Sequence, residues 1–144
     1  DHAITVAVGK ASKEALKLME ITQNALMVGI KAIKPGCRTG DIGSAIEQYV
    51  KPYKYGIVRE LAGHGVGYTV HEDPYVPNYG KAGTGEVLKP GMIIAIEPML
   101  TQGTRFVSFS RDGYTVTTKD HNLSAHFEHT VLITENGAEI LTKI

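Results

Sequence analysis

The chain has 144 residues, and 15 Lys+Arg against 15 Asp+Glu leave no formal charge with histidine neutral. That length makes one ordinary domain with room for a core, and 42% hydrophobic against 21% charged residues excludes a disordered polymer. The balanced charge argues against nucleic acid or anionic lipid as the main partner, no apolar run approaches the ~20 residues of a membrane helix, and the single cysteine, Cys37, fits a reducing compartment.

Ile4, Val6 and Val8 alternate with Thr5 and Ala7, which predicts a short strand ending at Gly9. Ser12 is placed to cap a helix with Glu14 in its first turn and Leu16, Met19, Leu26, Ile30 and Ile33 along it, stopped by Pro35-Gly36. Thr39 is placed to cap a second helix, in which Ile42, Ala45, Ile46, Tyr49 and Val50 form one apolar stripe and which Pro52 closes. Beyond Tyr55 the texture changes to short strands and turns. Ile57-Val58 and Met92 to Ile96 read as strands. Phe106 to Ser108 and Tyr114 to Thr118 form a hairpin about Arg111-Asp112-Gly113, and Phe127 to Thr134 and Glu139 to Thr142 form another about Glu135-Asn136-Gly137. A strand, two helices and then hairpin-linked strands predict an α+β fold with a largely antiparallel sheet.

Three segments carry chemistry. In Gly63-His64-Gly65-Val66-Gly67, glycines strip the backbone around a histidine, either for a close approach or for a tight turn with a surface histidine. No Lys-Ser/Thr follows, so a phosphate loop is not completed. A second histidine, His71, comes next among acids. Glu97 ends the run Met92 to Ile96 between Ile96 and Pro98, where a lone charge is costly unless paired or solvated at the strand end. Glu128 alternates with Thr130 and Leu132, opposite the face of Phe127, His129, Val131 and Ile133. His129 is read as a core histidine because it shares that face with apolar neighbours, while His2, His121 and His126 sit in no supporting pattern and are expected to be exposed. Two carboxylates on apolar strands with a glycine-flanked histidine suggest a divalent ion such as Mn, Fe, Co or Zn, held by N and O ligands without thiolates.

These segments resemble the type I methionine aminopeptidases, metallopeptidases of the pita-bread fold. The matching stretches are GHGVG (63–67), VHEDPYVPNYG (70–80), LKPGMIIAIEPM (88–99), DGYTVTTKDHNLSAHFEHTVLITENG (112–137) and KPGCRTGDIGSAIE (34–47). The resemblance implies a mostly antiparallel curved sheet with helices on its outer face. It implies His64, Glu97 and Glu128 as metal ligands, and counting back from Gly9 it implies Asp1 as the bridging aspartate. His71 and Glu97 become the catalytic pair, with His71 touching the scissile carbonyl or amide, and Val70 and Tyr114 line the methionine pocket. The implied cofactor is a pair of divalent ions (Co, Mn, Fe or Zn). The implied activity is cytoplasmic removal of the initiator methionine from nascent or short peptides when the next residue is small.

The family also has an N-terminal half, with a further aspartate ligand, that has no counterpart in residues 1–144. These residues are therefore expected to be the C-terminal part of a single catalytic domain, with that half as their partner. Two other readings compete, namely a proline-directed exopeptidase of the same fold and a non-catalytic peptide-binding homologue. The Phe127-Glu128-His129-Thr130 and Val76-Pro77-Asn78 runs favour the methionine enzymes. The presence of Asp1, His64, His71, Glu97 and Glu128 together argues against a degenerate binder.

Overall fold

The computed structural model describes residues 1–143. Helix α1 (Lys13–Lys31) begins as its cap predicts, with Ser12 Oγ accepting the Ala15 N–H at 3.1 Å. Leu18, Ile21, Ala25, Leu26 and Ile30 form its buried face; Leu16, expected on the same stripe, is exposed, and Ile33 is buried just beyond the helix end. Helix α2 (Thr39–Val50) starts one residue earlier than its expected cap. Arg38 is the N-cap, because Asp41 reaches back to accept the Arg38 N–H at 2.7 Å, and Thr39 is a buried first-turn residue. Ile42, Ile46 and Val50 are fully buried, as the stripe predicts, and Pro52 lies in a short 3₁₀ turn at Lys51–Tyr53.

Eleven strands are described: β1 (His2–Ala3), β2 (Gly56–Ile57), β3 (Gly63–Gly65), β4 (Glu72–Val76), β5 (Ile93–Ile96), β6 (Met99–Thr101), β7 (Val107–Phe109), β8 (Val116–Thr118), β9 (Ser124–His126), β10 (Glu128–Thr134) and β11 (Gly137–Ile140). The main sheet runs β1-β10-β5-β3-β4, with β11 also on β10; β2-β6-β9 and β7-β8 form two smaller sheets. Every pairing among them is antiparallel. The α+β, antiparallel expectation holds, as do both hairpins, β7-β8 and β10-β11. One core joins the inner faces of α1 and α2 to Ile94, Ile96, Leu100, Val131 and Ile133 of the strands and to Phe127 between β9 and β10. Each such aliphatic side chain contributes about 1.5–3 kcal/mol on burial.

The strand expected over Ile4 to Gly9 is a correction. Only His2–Ala3 pairs with β10, and Ile4, Val6 and Val8 are exposed. Beyond Ala3 the Thr5 hydroxyl takes both main-chain groups of His126, donating to its carbonyl at 2.8 Å and accepting its N–H at 2.9 Å. The ladder stops there, and alternation alone supplies neither a partner strand nor a covering face.

Candidate metal centre

His64 is the middle residue of β3, buried between β5 and β4. A Cβ on Gly63 would collide with the Ala95 carbonyl oxygen, and one on Gly65 with the Asp73 carbonyl oxygen. The close approach that the glycines permit is therefore that of neighbouring strands. It puts the histidine inside the sheet rather than on a surface turn. The Gly65 carbonyl lies 2.9 Å from His64 Nδ1. A carbonyl only accepts, so Nδ1 carries the hydrogen and Nε2 of the neutral ring keeps its lone pair.

The sheet order then brings the other candidates to that lone pair. Asp1 precedes β1, Glu128 opens β10, Glu97 follows β5 and His64 lies in β3, and these four strands are consecutive neighbours. His129 pairs with Ile96, so one step further along the ladder sets Glu128 opposite Glu97. His64 Nε2 stands 3.7 Å from Asp1 Oδ2 and 3.6 Å from Glu97 Oε1, too long for hydrogen bonds. Ligand atoms of His64, Glu97 and Glu128 all lie within 4.8 Å of one another, and so do those of Asp1, His64 and His71.

Glu128 is 4% exposed, and its Oε1 is buried without a hydrogen-bond partner. Burial pushes the Glu128 carboxyl above its ordinary range, and the Glu97 carboxylate adds to the rise. No hydrogen bond links the His64 lone pair to the Asp1 and Glu97 carboxylate oxygens that face it. A divalent cation would supply the missing positive charge, and these N and O donors suit one.

His71 lies in the exposed loop before β4, its ring edge-on to that of His64 at 4.3 Å between centroids. His64, His71 and Glu97 open onto a cavity of about 490 Å³ whose apolar wall includes Val58, Leu61, Met99 and Val116. Tyr114 also lines it; Val70 is exposed and is not among the lining residues. Another cavity of about 500 Å³, lined by Lys51, Lys54, Arg59 and Arg105, touches none of these candidates.

Two residues escaped the sequence reading. His126, expected to be exposed, is half-buried and lines the cavity, with Nε2 3.2 Å from Glu97 Oε2. Asn78 is 1% exposed and donates from Nδ2 to the Glu97 main-chain carbonyl at 3.1 Å. Both lie within the motif stretches, but no local pattern assigns either one a place at the site, since that place is defined by a contact across the fold. His2 is a further correction: it is half-buried and stacks on His129 with centroids 5.0 Å apart. His129 itself is satisfied away from the carboxylates, with Nδ1 2.9 Å from Thr142 Oγ1, and burial followed by the neighbouring His2 lowers its pKa. His121 is exposed, as expected.

The sequence profile of metallopeptidase family M24 matches residues 1–135. Methionine aminopeptidase B of Synechocystis sp. is 51% identical over 142 residues, which cover 99% of this chain and 52% of that protein. The crystal structure of methionine aminopeptidase from Rickettsia prowazekii aligns with a TM-score of 0.96 at 42% identity, covering 99% of this chain and 58% of that one. A prolidase from Pyrococcus furiosus aligns at 0.76 with 32% identity, covering 99% and 36%. The shared architecture is the pita-bread fold. The chain spans about half the length of the methionine aminopeptidases it matches.

Proposed function

The chain belongs to metallopeptidase family M24, and we propose that the protein is a metal-dependent aminopeptidase that releases N-terminal methionine when the next residue is small. The observation that carries the reading is that four adjacent strands bring Asp1, Glu128, Glu97 and His64 into two ligand clusters that share His64, beside an apolar cavity. The greater likeness in fold to a methionine aminopeptidase than to a prolidase supports the choice within the family.

In this reading Asp1, His64, Glu97 and Glu128 would hold divalent ions (Co, Mn, Fe or Zn), two in a complete site. A divalent pair supplies Lewis acidity that makes water a nucleophile near neutral pH and polarises the scissile carbonyl. The chain's own residues do the rest. Glu97 turns Oε1 toward His64 and keeps Oε2 to accept a proton from the attacking water, passing it to the departing amine. His71, at the cavity mouth, donates to the carbonyl oxygen as charge develops there. Tyr114 and the apolar wall around Met99 and Val116 enclose an unbranched thioether side chain. The substrates are nascent or short peptide N-termini in the cytoplasm.

The test is an assay of the full-length protein, supplied with Mn(II) or Co(II), on peptides beginning Met-Ala, Met-Leu and Ala-Pro. Release from Met-Ala alone is expected. Turnover of Ala-Pro in preference to Met-Ala would replace the reading with a proline-directed exopeptidase. Absence of both metal binding and turnover would make the protein a peptide-binding homologue.

A further inference from the structure

We propose that His126 is a positioning residue for Glu97, which holds one carboxylate oxygen so that the other faces His64. The inference rests on the aminopeptidase reading of the same site. The two oxygens of Glu97 are divided between two imidazoles: Oε1 lies 3.6 Å from His64 Nε2, and Oε2 lies 3.2 Å from His126 Nε2. These imidazoles differ in kind. The Gly65 carbonyl commits the hydrogen of His64 to Nδ1, so the approach of Oε1 brings together two lone-pair-bearing atoms, spaced as co-ligands. His126 Nε2 is enclosed and has no aligned hydrogen-bond partner among the described residues, although 37% of the side chain is exposed. A bare lone pair 3.2 Å from a carboxylate oxygen is repulsive, so the hydrogen of His126 belongs on Nε2, the nitrogen beside Oε2. The contact falls short of hydrogen-bond alignment here, as catalytic contacts commonly do before substrate tightens them.

His126 is itself held firmly. It pairs with Met99 across β9 and β6, and its N–H and carbonyl are both taken by the Thr5 hydroxyl. Glu97 is held at its backbone by Asn78. With both main chains fixed, the side-chain contact stops the Glu97 carboxylate from flipping, which would exchange the oxygen facing His64 with the one that handles protons. A loose carboxylate still binds but spends part of its time in the wrong orientation, and misplacement of this kind costs up to about 10²-fold in rate.

The test uses the full-length protein loaded with Co(II), with His126→Ala and His126→Gln beside the unsubstituted protein. On Met-Ala-Ser, His126→Ala is expected to lower kcat by about 10- to 100-fold with KM and Co(II) affinity essentially unchanged. His126→Gln, whose amide restores an N–H donor, is expected to recover most of the loss. Nitrogen-15 NMR of the metal-free protein reads the contact without turnover: the His126 Nε2 signal should carry a hydrogen and move in Glu97→Gln. Equal loss of Co(II) from both variants would make His126 a ligand and overturn the proposal. An unchanged kcat in His126→Ala, or an Nε2 signal indifferent to Glu97→Gln, would overturn it as well. If the unsubstituted protein releases no methionine, the aminopeptidase reading fails, and the NMR result still decides whether His126 holds Glu97.

Discussion

Asn78 holds Glu97 by its main chain: the amide Nδ2 donates to the Glu97 carbonyl at 3.1 Å from a side chain that is 1% exposed. The bond fixes the point at which β5 ends and the carboxylate turns toward the cavity. Asn78→Ala takes this donor from the carbonyl of half-buried Glu97, which costs about 1 kcal/mol. Denaturant unfolding should show a loss of that size, and kcat should fall more than KM rises.

Gly65 admits no side chain, because its Cβ would meet the Asp73 carbonyl oxygen, a backbone atom that cannot swing aside. The Gly65 carbonyl also holds the tautomer of His64. Gly65→Ala is therefore expected to destabilise the protein by about 1–3 kcal/mol and to weaken metal binding at the same time. Calorimetry and metal titration check the two effects separately, and a fully stable, metal-tight variant would contradict the packing argument.

Glu97→Gln keeps the shape of the side chain and removes its basicity. Turnover of the full-length protein is expected to fall by about 10²–10⁴-fold with little change in melting temperature. A chelator should abolish the activity of the unsubstituted protein, and added Co(II) or Mn(II) should restore it. A near-normal rate in Glu97→Gln with metal bound would remove Glu97 from the proton transfer.

Asp41 accepts the N–H groups of Arg38 and Gly83, both at 2.7 Å, and these bonds hold its carboxyl below the ordinary value of 3.8. A folded pKa below the unfolded one means that the unfolded chain binds the proton more readily. The contribution of Asp41 is then fully present above the unfolded value and is lost as pH falls through the folded one. Asp41→Asn should lower the melting temperature at pH 7 and narrow its drop between pH 5 and acid. Parallel pH profiles for the two proteins would show that the cap contributes no pH dependence.

Features governed by neighbours a few positions away were legible in the sequence. The Ser12 cap, the Ile42–Ile46–Val50 stripe and both hairpins follow from local hydrogen bonds and from periodicity. The apolar settings of Glu97 and Glu128 marked them as charges in need of a partner, but only the motif resemblance joined them to Asp1, His64 and His71 as one proposed site. The tertiary structure decided what lies between distant segments. Thr5 and His126 are 121 positions apart, and their reciprocal bonds end the ladder where alternation predicted a strand. No local pattern gave His126 or Asn78 a role, because each acquires its partner, Glu97, only when β6, β9 and the segment after β4 are packed together. Periodicity and capping are short-range, whereas ladder partners and the placing of buried charges depend on the whole sheet, so local sequence carries the former and only the folded chain supplies the latter.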